Sequence, residues 1–254
     1  MKYAVVTGAS RGLGEAVAKL LLESGIHVFG ISRNENKTLV EVAKQNNVDY
    51  EHFNCDLGKT EEVNQLLQLM MEHLAKVELT NLYLVNNAAV VEPVNQALNI
   101  AGEDLAYHVH INNIAPMLLM NRLLKFSTET DISFIGVNVT SAAALRPVLG
   151  WSAYCSSKAS INLYTKTVAL EQDEYQSGHK VFAFNPGIMD TGMQEAIRSN
   201  SEDAFKDVER FKKYKANNDL KSADTVGGIL VDIMLDGSNL ENGKIYDIQE
   251  YIGG

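Results

Sequence analysis

Cysteine is nearly absent: Cys55 and Cys155 are the two in 254 residues. They stand far apart without metal-ligand spacing, which argues against a disulfide framework and a metal site and fits a reducing, cytoplasmic setting. Proline is thin as well, with four residues, and no Pro/Ser-rich linker, repeat or low-complexity tract interrupts residues 1–185. A single domain spanning 1–254 follows. Positive charge is in deficit, with 22 Lys and Arg against 32 Asp and Glu and a net charge of −10. Such a field repels nucleic acid and anionic membrane surfaces. The basic cluster at 211–215, FKKYK, is flanked by acids and reads as the solvated face of a helix. No apolar run reaches transmembrane length and the opening MKYAVVTG is no leader, so the expected location is the cytoplasm.

Apolar residues are plentiful, at 46%, enough for a sizeable core. Short β-rich runs, YAVVT (3–7), HVFGIS (27–32), YEHFNC (50–55), LYLVNN (82–87), ISFIGVNV (132–139) and KVFAFN (180–185), alternate with longer segments of helical period. That rhythm predicts a Rossmann-like, doubly wound α/β fold: about seven parallel strands with helices on both faces. Residues 190–222 are polar and without strand signals, and read as helical excursions forming a substrate lid. A packed helix at 223–235 and a strand at 244–248 close the chain.

Directly after the first strand comes TGASRGLG. Gly8, Gly12 and Gly14, with Ser10, Arg11 and Leu13 among them, suit a tight turn that brings backbone close to a pyrophosphate at a helix N-terminus. The literal GxGxxG spacing is absent, but the strand–turn–helix context is the one that a dinucleotide requires. At the end of the second strand, where an NAD site offers an acid to the ribose, this chain has Ser32 and Arg33. A guanidinium bonds a 2′-phosphate that a carboxylate repels, so NADP(H) is favoured, with Arg11 approaching the same phosphate from the other side. Glu35 is the nearest acid. In GWSAYCSSK (150–158), Tyr154 and Lys158 stand one helical turn apart on one face.

These pieces, together with CDL (55–57), NNAA (86–89), INN (111–113), VTS (139–141) and NPGIMDT (185–191), occur in the order seen in the short-chain dehydrogenase/reductase family. The chain resembles that family over essentially its full length, and within it the sepiapterin reductase branch with its bacterial benzil-reducing members. NNAA in place of NNAG and alanine after Asn113 are small departures. The resemblance implies that Asp56 and Leu57 flank the adenine, and that Asn86 and Ala88 lie beside the cofactor ribose. In it Tyr154 is the proton donor, Lys158 lowers the phenol's pKa and holds the nicotinamide ribose, and Ser141 bonds the carbonyl oxygen. Asn112 would hold a relay water; Asn113 competes on chemistry, and register with the family chooses Asn112. Pro186 and Gly187 form a turn that sets Ile188 and Thr191 on the carboxamide.

Ala142, Leu145, Val148, Trp151, Met189 and Met193 are expected to wall an apolar pocket suited to an aromatic or bulky ketone. Trp151 reads equally as a helix-entry packing residue. Asp247 falls where sepiapterin reductases keep an acid for the pterin, and reads equally as a strand-end residue bonding local backbone. The expected activity is NADPH-dependent reduction of an aromatic ketone or an α-diketone such as benzil, to (S)-benzoin. A 3-oxoacyl carrier-protein reductase and a non-catalytic NADPH-sensing protein are the alternatives. The presence of Asn112, Ser141, Tyr154 and Lys158 favours catalysis. The expected partner is a second copy, as homodimer or homotetramer through helices around 103–126 and 152–173; no nucleic acid, membrane or metal is expected.

Overall fold

In the first strand, β1 (Lys2–Thr7), Tyr3 and Val5 belong to one apolar cluster and Ala4 and Val6 to another. Successive side chains leave a strand on opposite faces, so this alternation gives two buried layers. The computed structural model describes residues 1–237 and 239–252. Six further strands, β2 (His27–Ser32), β3 (Tyr50–Asn54), β4 (Asn81–Asn86), β5 (Ser133–Val139), β6 (Lys180–Asn185) and β7 (Ile245–Asp247), join β1 in one sheet. Its order is β3-β2-β1-β4-β5-β6-β7, with every pairing parallel. The expected strands lie within a residue or two of these bounds.

Helices α1 (Gly12–Glu23), α2 (Lys37–Gln45) and α3 (Thr60–Leu74) make the first crossovers. Between β4 and β5 run α4 (Gly102–Val109), a turn of π-helix (His110–Ile114) and α5 (Ala115–Thr130); α6 (Ser152–Glu174) joins β5 to β6. Beyond β6 come α7 (Gly192–Arg198), α8 (Val208–Ala216), α9 (Ala223–Leu235) and, after β7, the short α10 (Gln249–Ile252). Leu21 of α1 and Leu230 of α9 fill one layer, and Met70 of α3 and Leu123 of α5 the other. The chain reverses direction across the sheet between β1 and β4, which opens a crevice at the carboxyl ends of the strands.

The segment read as a lid is anchored more firmly than its polarity suggests. Met189 and Lys221 form a parallel bridge, with Asp190 N donating to Lys221 O (3.0 Å) and Lys221 N to Ile188 O (3.1 Å), so the excursion leaves and rejoins the body at one point. Inside it, Phe205 and Val208 are fully buried and share a third cluster with Trp151 and Tyr154. Burying a phenylalanine contributes about 1.5–3 kcal/mol, so this ring adds to the bridge in holding the segment down.

Candidate active site

One cleft of about 1480 Å³ runs along the carboxyl edge of the sheet from the glycine turn to the lid. At its first end Gly8 and Gly12 have φ of +70° and +63°, a region that side chains disfavour. The space a side chain at Gly14 would need is already taken by the Gly8 carbonyl and the Asn87 amide, so Gly14 packs behind the turn instead of lining the cleft. Arg11 precedes α1 and makes no side-chain capping bond, leaving the first-turn amides without a side-chain acceptor there. A bare turn leading into an uncapped helix start fits a pyrophosphate. Ser10, Gly12, Leu13, Ser32, Arg33, Asp56, Leu57 and Ala88 also line this end. The loop after β2 is tied to the turn by Asn36, whose amide donates to Ser10 O (3.2 Å) and Glu15 Oε1 (2.7 Å).

One side chain departs from expectation here. Asn86 is buried and faces away from the cleft, its amide donating to Pro116 O (3.0 Å) and Asn138 Oδ1 (2.9 Å). Its neighbour Asn87 lines the cleft instead and donates to Thr7 O (2.9 Å), while Thr7 Oγ1 accepts from the Asn87 and Ala88 amides. Strand alternation sends adjacent residues to opposite sides, so the paired asparagines divide the work. Arg11 lies against Gly192 at the start of α7, where the missing side chain lets a guanidinium close in. It lines the same cleft as Arg33. Glu35 lines the same end as Arg33.

At the centre, Ser141 caps the short turn that follows β5 and accepts from Ala143 N (3.2 Å). Tyr154 and Lys158 follow on α6, 6% and 4% exposed, and all three line the cleft. Lys158 Nζ donates to Val139 O (2.8 Å) and stands 5.8 Å from the Tyr154 ring centroid. Burial, opposed by a hydrogen bond with Ser141, pushes the phenol up to about 12; burial also brings the lysine down to about 8. In the protein alone desolvation therefore governs the phenol, and the contribution that lowers it is the hydrogen bond with Ser141.

Beneath this group lies a polar network. The π-turn adds a residue between α4 and α5, a device common at functional sites, and within it Asn112 grips Val90 by both atoms, Nδ2 to O (2.8 Å) and Oδ1 from N (2.9 Å). Asn113 donates to Ser157 O (2.9 Å); neither asparagine lines the cleft. His108, fully buried, was not singled out from sequence. Its Nδ1 meets the Glu92 carbonyl at 2.6 Å and must donate there, leaving Nε2 to accept from Asn112 Nδ2 (3.0 Å); Ser157 Oγ stands 3.1 Å from Nε2 and donates to Tyr154 O (2.9 Å). Burial lowers its pKa, which favours this neutral tautomer. A histidine four residues before Asn112 was the available signal.

At the far end Pro186, Gly187, Ile188 and Thr191 line the cleft, followed by Ala142, Val148, Trp151, Met189 and Met193. Trp151 fills both roles open to it: it lines the cleft, and its ring stacks on Phe205 at 4.7 Å and meets Tyr154 edge-on at 5.3 Å. Leu145 does not line the cleft; it ends the short turn after Ser141 and is 74% exposed. Asp247 is also outside it, accepting from Asn185 Nδ2 (2.7 Å) and Gln249 N (2.9 Å), which makes it a strand-end residue. Phe211 and Tyr214 of α8 join the lining, unforeseen because α8 reads as a solvated face.

A parallel doubly wound sheet, with a serine, tyrosine and lysine gathered at the edge of a dinucleotide-shaped cleft, defines an α/β oxidoreductase. The chain belongs to the short chain dehydrogenase family, whose sequence model matches residues 2–202. It is 35% identical over 252 residues to the benzil reductase ((S)-benzoin forming) of Bacillus subtilis (strain 168), covering 99% of this chain and 100% of that one. To the sepiapterin reductase of Rattus norvegicus it is 32% identical over 209 residues, 78% of each chain. The crystal structure of the KRED1-Pglu enzyme superposes with a TM-score of 0.80 at 29% identity, covering 96% of this chain and 100% of that one.

Proposed function

We propose that the protein is an NADPH-dependent carbonyl reductase acting on aromatic ketones or α-diketones, with benzil to (S)-benzoin as the model reaction. The observation that carries the reading is a buried proton donor, Tyr154, whose ring touches Trp151 at the foot of an aromatic wall. A bound reduced nicotinamide supplies the hydride. Gly8, Gly12 and Ser10 would hold its pyrophosphate, Asp56 and Leu57 its adenine, and Arg33, exposed at the cleft rim, a 2′-phosphate.

The chain's own part is proton handling. A phenol kept above its usual range stays protonated at neutral pH, the form that a reduction needs, and Tyr154 Oη gives this proton to the carbonyl oxygen as charge develops there. The Ser141 hydroxyl donates to the same oxygen. Lys158 remains largely cationic at pH 7 and favours the phenolate once the proton has left. Leu163 and Leu170, each 68% exposed on α6, and Leu105 on α4, 42% exposed, support the proposed homodimer or homotetramer. Among the described residues no helix is long and apolar enough to cross a membrane, which is compatible with the proposed cytoplasmic location.

The test is NADPH oxidation at 340 nm with benzil, an aliphatic ketone and an acetoacetyl thioester, with chiral analysis of the benzoin. Benzil is expected to give the highest kcat/KM, and Tyr154→Phe to lower its kcat by about 10²–10⁴. Preference for the thioester would overturn the substrate reading; full turnover by Tyr154→Phe would overturn the mechanism.

A further inference from the structure

At the β2–β3 end of the cleft, a residue from across the crevice reaches the carboxylate expected to meet the adenine. Tyr107, in the last turn of α4, donates its phenol proton to Asp56 Oδ1 at 3.1 Å. The same oxygen accepts from Gly58 N at 3.0 Å, while Asp56 N donates to Glu62 Oε2 at 2.8 Å. Three contacts therefore fix one oxygen and the backbone of Asp56. Among the described residues, no hydrogen bond engages Oδ2. The Tyr107 ring lies against the backbone at Gly58, where a side chain would run into its ring carbons. Arg33 and Lys59 are near enough for their charges to act on the phenol, and Asp56, Tyr107 and Arg33 line the same end of the cleft.

We propose that Tyr107 is a positioning residue for the adenine: its bond to Oδ1 turns Oδ2 of Asp56 toward the 6-amino group, and its ring walls that end. This rests on the dinucleotide reading above. The carboxylate is acceptor-only when ionised, so what it selects depends on where its uncommitted oxygen points; a neighbour that pins the other oxygen sets that direction. Tyr107 is 37% exposed, so losing its hydroxyl leaves no buried group unpaired in the core, and the role is separable from folding.

The experiment measures binding, without turnover. Dissociation constants are read from NADPH fluorescence, and from competition with its hypoxanthine analogue, which carries an oxygen in place of the 6-amino group. Native protein is expected to prefer NADPH by about tenfold, and Tyr107→Phe to weaken NADPH about fivefold while changing the analogue less than about twofold. Gly58→Ala, which displaces the ring and its hydroxyl together, should weaken NADPH at least as much as Tyr107→Phe does. Equal losses for both dinucleotides, or none, would overturn the role of Tyr107 and leave the cofactor reading standing. Failure of the native chain to bind either dinucleotide would overturn both.

Discussion

At the β1–β4 end of the cleft each contact joins main chain to a short polar side chain: Thr7 Oγ1 accepts from the Asn87 and Ala88 amides and Asn87 Nδ2 donates to Thr7 O, and the glycines leave room for backbone to approach. At the lid end the contacts are between rings, with Trp151, Phe205 and Phe211 meeting at 4.7 to 5.5 Å from three separate segments. Backbone recognition suits a ligand that never changes, because it depends on turn geometry that few sequences can supply. Ring packing suits a ligand that varies between relatives, since apolar walls can be exchanged at small cost where volume is kept. Tyr154 stands at the seam, touching Trp151 on one side and Lys158 on the other.

The comparison predicts that damage at one end spares the other. Phe205→Ala removes a fully buried ring and should cost about 3–5 kcal/mol, lowering Tm by about 10 °C in a chain of this size. KM for the aromatic ketone should rise about tenfold while the NADPH dissociation constant changes less than about twofold; calorimetry and fluorescence titration check the two halves. A parallel loss of NADPH affinity would show the ends to be coupled. Arg33→Asp should do the converse, weakening NADPH about 100-fold and NADH less than about threefold, with KM for the ketone unmoved. Equal losses of both cofactors would take the selecting role away from the end of β2.

The seam gives the smallest effect, and it depends on pH. Lys158 titrates near 8 in the folded chain against its ordinary 10.5, so below pH 8 the fold carries a buried cation. The shift corresponds to about 3 kcal/mol, and removal also forfeits the bond to Val139 O, about 1 kcal/mol. Lys158→Met should therefore be more stable than the native chain by about 2 kcal/mol at pH 7. Between pH 8 and 10.5 the unfolded native chain binds the extra proton, so native stability gains on the variant and the advantage disappears. From pH 10 to 12 the unfolded tyrosine ionises before the folded Tyr154, and both proteins lose stability together. Thermal melts at pH 7 and 9.5 test the sign; a variant less stable at pH 7 would show that Lys158 supports the fold.

What was legible in the sequence divides along the same line. Strands and the glycine turn depend on local periodicity and on φ, and both were readable from short stretches. Arg33 lines the cleft for the same reason, its position being fixed by the end of a strand. Asn86 was expected beside the ribose and its side chain turns away, while that of Asn87, given no role, faces the crevice; which of two neighbours does so depends on where the strand ends. Phe205 and His108 were missed since their partners are far away in sequence: Trp151 for the first, Glu92 and Ser157 for the second. The weight of burial at Tyr154 was also out of reach, because desolvation is set by everything packed around the site. Leu145 and Asp247 were assigned by proximity in sequence or by resemblance, and folding carries each away from the cleft.

The bridge between Met189 and Lys221 also bears on how this protein can change. A segment that departs and returns at a single backbone-paired point behaves as an insert on the sheet, and closing a longer insert costs little more than closing a short one, since the entropy grows only with the logarithm of its length. Beyond Thr191 and Gly192, which pack on the cofactor turn, the excursion can therefore be lengthened or shortened without altering strand register, provided that the Phe205 anchor is kept. Selection on the substrate end has a replaceable part to act on, and the serine, tyrosine and lysine stay in place.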